Sequence, residues 1–296
     1  MITGASGLIG TRLTEMLLSN GHVVSHLGRA RHEKKVRSFI WDVGRQQLDE
    51  NALKDIDTII HLAGAGIADQ RWTEKRKQEI LDSRILSTRL LYRTLANGNH
   101  SVKTVVMASA IGYYGFGHSD GIFTETSKHG NDFLAQVTHQ WENEAVKLQA
   151  VARLVTMRIG IVLSEKGGAL KEMANPVKYF VGAPVGSGNQ CLSWIHIDDL
   201  CRMFMKAVDD QSLQGVYNAV GPYPVTNREL TKAIGRVLHR PVILPPVPGF
   251  LLKLVLGEMA DLVLKGSRVS SEKIQAAGFT FQFNTLEEAL ENLLMS

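Results

Sequence analysis

Residues 1–10 read "MITGASGLIG", with glycines at positions 4, 7 and 10 and an apolar stripe that starts at Leu8 and Ile9. Three bare backbone positions at a spacing of three, running straight into a helical pattern, suit a turn that must pass close to something. Gly4 permits the tight turn, Gly7 lets the backbone approach a ligand, and Gly10 lets the following helix pack against the strand before it. The start of such a helix presents unpaired N–H groups and partial positive charge, which suits a phosphate. Only Met1, Ile2 and Thr3 precede Gly4, against about five residues in a usual strand. Either the first strand is short, or residues precede this Met.

Moving outward, a helical pattern over 8–20 leads to the β-branched run "HVVSHL" (22–27), as a strand–helix–strand unit requires. Four more such runs follow: "SFIW" (38–41), "DTIIHLAG" (57–64), "KTVVMASA" (103–110) and "RLVTMRIGIVL" (153–163). Each is almost wholly apolar, so both faces of the strand are expected to be buried, as in a parallel sheet covered by helices. Helical patterns fill 73–97 and 131–150, the first with an apolar face of Leu81, Ile85, Leu91 and Leu95. After residue 164 glycine and proline become frequent, in "NPVKYFVGAPVGSG" and "PVILPPVPGF". The expectation is an α/β chain: a Rossmann-type, doubly wound parallel sheet over 1–163, and a smaller, mostly helical substrate part over 164–296 that is free to interleave with it.

Composition bounds the function. Hydrophobic residues are 44% and charged residues 21% of the 296, an ordinary soluble balance. No apolar run reaches the length of a membrane span, and no basic, apolar leader precedes the glycines. Cys191 and Cys201 show no metal-like spacing and read as reduced core thiols of a cytoplasmic protein, with no metal site. A net charge of +4, evenly spread, argues against nucleic acid and suits an anionic small molecule.

The second strand tells which nucleotide to expect. An acid at its end would grip the ribose 2′-OH of NAD. Here "LGRARHEKK" (27–35) has no acid before Glu33, and Arg29 stands in that place with Arg31, Lys34 and Lys35 close by. Guanidinium pairs well with the extra phosphate of NADP(H). Asp42 follows the third run and is placed to accept from an adenine amino group. Thr3, Ser6, Leu8 and Ile9 complete the glycine turn, and Leu62, Ala63 and Gly64 end the fourth run where backbone passes under the cofactor.

Together these segments resemble the short-chain dehydrogenase/reductase superfamily in its extended, sugar-nucleotide-epimerase-like branch. That branch shows TGxxGxxG (here 3–10), an acid after the third strand (Asp42), a small-Ala-Gly end to the fourth (62–64), and a serine then Tyr-Gly after the fifth (Ser109, Tyr114, Gly115). It also shows an R-x-x-x-V pattern (from Arg158) and a segment like "WIHIDDL" (194–200). "RWTEKRKQEILDSRI", "GAPVGSGNQ", "YNAVGPYPVTNRELT" and the tail "LEEAL" are similar to one subgroup, epimerase-family proteins with a short C-terminal domain of unassigned function. The resemblance spans essentially the whole chain. It implies an NADP(H) site to which Ser109 and Arg158 also contribute.

One part of the pattern fails. The superfamily's Tyr-x-x-x-Lys falls on "GNDFLAQVTHQWENEA", where Phe133 and Val137 stand in one register and Asp132 and Gln136 in the next. Ser109, Tyr113 and Tyr114 are the candidate acid/base groups in its place, and Gln136 is the candidate for the ribose hydroxyls. Without an ammonium nearby, a Tyr phenol is a poor base at neutral pH. His196 reads as a buried histidine bonded to backbone, Asp198 and Asp199 as a helix N-cap and first-turn acid, and Trp72, Trp141 and Trp194 as core. Arg71 and Arg84 are candidates for an anionic substrate. Two functions remain: an oxidoreductase or epimerase with non-standard acid/base groups, or a nucleotide-binding sensor that keeps the cofactor and has lost the chemistry.

Overall fold

The computed structural model describes residues 1–30, 36–49, 51–116 and 121–295. The chain begins with β1 (Ile2–Thr3), α1 (Leu8–Ser19), β2 (Ser25–Gly28), β3 (Arg37–Asp42), β4 (Gln47–Leu48) and β5 (Thr58–His61). It continues through α2 (Glu74–Asn97), β6 (Thr104–Ala110), α3 (Phe133–Val146), β7 (Arg153–Ile159), β8 (Ile161–Leu163) and α4 (Ala169–Lys178). Next come β9 (Cys191–Leu192), β10 (Trp194–His196), α5 (Ile197–Asp209), β11 (Gly215–Ala219), β12 (Val225–Thr226) and α6 (Asn227–Val237). It closes with α7 (Gly249–Leu256), α8 (Asp261–Leu264), α9 (Glu272–Ala276) and α10 (Leu286–Leu294).

The main sheet has the order β11-β7-β6-β5-β1-β2-β3-β4, parallel throughout except where β4 turns back on β3. From β1 the chain first builds outward through β2 and β3, then crosses back to add β5, β6 and β7 on the other side. The reversal leaves a crevice between the C-terminal ends of β1 and β5, where ligands of such sheets bind. Helices pack in pairs, α1 with α5 and α2 with α3. Ile2, Leu27, Ile59, Val105, Val106, Met107, Val155 and Met157 form the sheet's buried centre. The doubly wound sheet with a helical C-terminal part is the architecture expected from the alternating runs.

The structure differs from the runs where local contacts intervene. "RLVTMRIGIVL" is two strands: a Cβ at Gly160 would collide with Ser193 O, and beyond it β8 leaves the sheet to pair with β10. The strand in "HVVSHL" starts only at Ser25, because the end of α1 folds over through Gly21 (φ 83°) and His22 N–H bonds Leu17 O. The pattern over 131–150 is α3 capped by Asp132, followed by a separate 3-10 turn, Lys147–Ala150.

β11 comes from beyond residue 164 yet adds to the sheet beside β7. A second stitch lies nearby. Ser267 Oγ donates to Gly115 O (2.6 Å), Phe123 N to Arg268 O (2.8 Å), Val269 N to Ser193 Oγ (3.0 Å) and Asn218 Nδ2 to Ser270 O (3.0 Å). Residues 267–270 thus strap the loop after β6 to β10 and β11.

Candidate functional site

The glycine turn lies at the crevice. Gly4 has φ 67°, and a Cβ there would stand 2.9 Å from Ala63 N. A Cβ at Gly10 would stand 2.5 Å from Gly4 O and 2.6 Å from Ala5 Cα. Both positions are glycine because the protein's own backbone fills the space. Gly7 is different. It is the exposed N-cap of α1 with an ordinary φ of −77°, and its nearest obstacle to a Cβ is Gly4 O at 3.3 Å. It stands at the first turn of α1, where a helix start leaves N–H groups unpaired, and no side chain caps it.

Thr3 is fully buried: its Oγ1 accepts from Leu62 N (3.1 Å) and Ala63 N (3.2 Å) and bonds His61 Nδ1 (2.7 Å). Its side chain ties β1 to the end of β5 instead of facing the crevice. His61 beneath it also bonds Thr88 Oγ1 (3.2 Å), and burial pushes its pKa down to about 3, so the ring is neutral. Ser6 is exposed, and Leu8 and Ile9 are partly covered. Arg29 is exposed just past β2, while Arg31, Glu33, Lys34 and Lys35 lie outside the described residues. Asp42 ends β3 with its carboxylate accepting from Arg45 N (2.9 Å). A cavity of about 460 Å³ opens at the turn, lined by Ser6, Gly7 and Leu8 together with Arg12, Lys166 and His196.

At the ends of β6 and β7 the side chains form one network. Ser109 Oγ donates to Glu142 Oε1 (2.6 Å), and Arg158 grips the same carboxylate through Nε (2.9 Å) and Nη2 (2.7 Å). Arg158 Nη1 donates to Tyr114 Oη (2.9 Å), which donates to Asn218 Oδ1 (2.6 Å). The Arg158 guanidinium also lies 3.4 Å from the centre of the Tyr113 ring. Ser109, Tyr114, Glu142, Arg158 and Asn218 are all buried. Burial pushes the Tyr114 phenol above the usual tyrosine range, and the Arg158 charge only partly opposes it. Of the three hydroxyls read from the sequence, two are therefore tied into packed protein. Arg158 is turned toward Glu142 and the tyrosines. Tyr113 alone of the three is partly exposed.

Glu142 and Asn218 were not legible as site residues. One signal existed for Glu142: it sits on the buried stripe of α3, with Ala135, Thr138 and Ala145. An acid on such a stripe needs a cation. Phe133 opens α3 and packs edge-on to Trp72 (5.0 Å), with Lys77 Nζ 5.6 Å from its ring; Val137 is buried. Gln136 is exposed and donates to Asn131 O (3.2 Å).

The helix start at 194–200 is capped by His196, not by an aspartate. Its Nδ1 accepts from Asp198 N (3.0 Å), and Nε2 bonds Asn292 Oδ1 (3.1 Å). Asp198 is gripped by Arg12 (2.6 and 2.9 Å), while Asp199 accepts from Gln282 N and Phe283 N (2.8 and 3.0 Å). Trp141 and Trp194 are core, and Trp72 is half-buried. Cys191 and Cys201 are unpaired thiols, the latter pushed up to about 12 by burial. Among the described residues no cluster of histidine, cysteine and acidic side chains is arranged for a metal, and no helix is long and apolar enough to cross a membrane.

A doubly wound sheet with a glycine turn at its crevice defines the dinucleotide-binding class of α/β proteins. Residues 1–221 match the NAD dependent epimerase/dehydratase family, and the chain belongs to it. Residues 247–293 match a domain of unknown function, DUF1731. The chain is 40% identical over 296 residues to the epimerase family protein YfhF of Bacillus subtilis, covering 99% of this chain and 97% of that one. The crystal structure of human epimerase family protein SDR39U1 with NADPH superposes with a TM-score of 0.91 at 30% identity, over 99% of this chain and 98% of that one. A nucleoside-diphosphate sugar epimerase from Corynebacterium glutamicum gives 0.81 at 30% identity, with 99% of this chain and 57% of that one covered.

Proposed function

We propose that the chain is an NADP(H)-binding oxidoreductase or epimerase-type enzyme whose small-molecule substrate sits between the ends of β5 and β6 and the part beyond residue 164. Gly7 carries the reading: the turn's own packing asks far less of it than of Gly4 and Gly10, and its open side suits a pyrophosphate. The human relative crystallised with NADPH supports the same cofactor. Ser6, Gly7, Leu8 and Ile9 would hold the phosphates, on a turn that Gly4 and Gly10 keep tight, with Leu62, Ala63 and Gly64 beneath them. Arg29 would pair with the 2′-phosphate, and Asp42 would accept from the adenine. When bound, NADPH supplies the hydride. Tyr113 is our choice to give or take the proton. Ser109 and Tyr114 position it by fixing Arg158, whose guanidinium lies against its ring.

The burial of Ser109 and Tyr114 favours a second reading, a sensor that binds the nucleotide and does no chemistry. Calorimetry and a substrate panel separate the outcomes. NADPH should bind more tightly than NADH, and either NADPH absorbance should fall with at least one of a set of ketones and quinones, or a nucleotide sugar should be converted to its epimer with the cofactor's absorbance unchanged overall. Tyr113→Phe should then cut turnover about 10²-fold or more while sparing NADPH affinity. Binding without any turnover decides for the sensor; no dinucleotide binding refutes both.

A further inference from the structure

Arg84 carries a charge that no carboxylate among the described residues answers. Its neighbours on α2 are matched: Arg76 with Asp69 (3.5 Å) and Glu79 (2.8 Å), Lys77 with Glu74 (3.2 Å) and Glu258 (2.6 Å), Arg89 with Glu144 (3.2 Å). Arg84 instead donates through Nη1 to two backbone carbonyls, Ala65 O (3.1 Å) and Ile80 O (2.9 Å). Its Cζ lies 5.2 Å from the centre of the Trp141 ring. Nε and Nη2 make no hydrogen bond to any described residue. Gly64, exposed at the end of β5, lets this side chain lie against its backbone, since a Cβ there would stand 3.2 Å from Arg84 Cζ.

Burial, with the charge of Arg76 adding to it, pushes the Arg84 guanidinium down to about 10. It is still a cation at neutral pH. A partly desolvated cation without a counter-ion is held at a cost, and an arriving anion recovers that cost. The Nε–Nη2 edge of a guanidinium matches two oxygens of one carboxylate or phosphate. The cofactor's phosphates have their proposed donors in the N–H groups at the start of α1 and in Arg29, so the Nε–Nη2 edge of Arg84, beside Gly64, is left for a different anion.

We infer that Arg84 anchors the anionic group, carboxylate or phosphate, of a small-molecule substrate beside the end of β5, an assignment that rests on the enzyme reading above.

Trp141 supplies the readout. Wild-type protein is titrated with inorganic phosphate, and separately with oxalate, at constant ionic strength held with sodium chloride, with and without saturating NADP⁺. Tryptophan emission is followed, and NADP⁺ binding is measured on the same preparation. A saturable change in the millimolar range is expected, retained with NADP⁺ present, lost in Arg84→Gln and kept in Arg84→Lys. The stronger of the two probes tells phosphate from carboxylate. Should Arg84→Gln fail to fold by circular dichroism, the wild-type titration and Arg84→Lys decide. No saturable response in the wild type, a response unchanged by Arg84→Gln, or a response abolished by NADP⁺ overturns the inference; the last gives Arg84 to the cofactor. NADP⁺ binding without an anion response removes this assignment alone, whereas absent NADP⁺ binding removes the enzyme reading on its own measurement.

Discussion

At the turn of residues 4–10 the structure depends on atoms that are not there: a Cβ at Gly10 would stand 2.5 Å from Gly4 O. At the ends of β6 and β7 it depends on atoms that are there and charged, in the two-point grip of Arg158 on Glu142 (2.9 and 2.7 Å). The turn is written in ten consecutive residues and leans on one further segment, the backbone of Leu62 and Ala63. The network is assembled from positions 109, 114, 142, 158 and 218, and none of these works alone. Backbone constraints fail by collision; charge networks fail by leaving a partner stranded. The two regions should therefore break in different ways.

The largest effect is expected from Glu142→Ala. It leaves the Arg158 charge buried without a partner, which costs about 3–5 kcal/mol. Urea unfolding should show that loss, and a loss below about 1 kcal/mol would mean that water enters and replaces the carboxylate. Next, Gly10→Ala should destabilise by about 3 kcal/mol through overpacking against Gly4 O and Ala5 Cα. Gly7→Val, three residues away, should unfold near the wild-type midpoint yet abolish NADPH binding in calorimetry. Equal behaviour of the two variants would erase the distinction between a glycine kept for packing and one kept for a ligand. Arg29→Ala sharpens the comparison at the cofactor's far end. It should weaken NADPH by about 1.5–3 kcal/mol, the size of a charged hydrogen bond, and NADH much less. Equal losses for both would remove the 2′-phosphate role.

The smallest effect is a pH dependence. His61 has its pKa pushed down to about 3 in the fold, against an ordinary 6.5 when unfolded. Below pH 6.5 the unfolded chain takes up a proton that the folded chain refuses until about pH 3. Stability therefore falls as pH drops through that window, by about 1 kcal/mol between pH 7.5 and 5.5. His196, also lowered by burial, adds in the same direction. Denaturation midpoints of wild type and His61→Asn across this range should converge on acidification. Parallel curves would show that His61 titrates elsewhere.

The sheet was legible because its signals are short-range. Apolar runs such as "KTVVMASA" mark doubly buried strands, and the glycine spacing marks the crevice. The break at Gly160 was not legible, because the atom that forces it, Ser193 O, is far along the chain. The same holds for the site. Ser109 and Tyr114 were singled out for free hydroxyls, but Glu142 and Asn218 claim those hydroxyls, and Asn218 lies 104 residues from Tyr114. The resemblance implies a cofactor role for Arg158; what it does not carry is the partner of that guanidinium, Glu142, 16 residues earlier on α3. Arg84 was visible as a candidate cation from the start. Only the matched pairs around it, from Arg76 to Arg89, set it apart.

The strap of residues 267–270 has a consequence for how the molecule comes into being. A ribosome delivers β1 to β7 long before it delivers Ser267, and the sheet has what it needs to begin forming as those strands emerge. The loop after β6 does not. Gly115 O, Phe123 and Asn218 Nδ2 wait for partners that are made about a hundred and fifty residues after Gly115. Translation thus separates the two regions in time, with the glycine turn set early and the neighbourhood of Tyr113 and Tyr114 finished late. A nascent chain halted before residue 267 would hold its glycine turn in place while Tyr114 and Phe123, stacked 5.0 Å apart and covered in the mature fold by Val269, stayed open to chaperones.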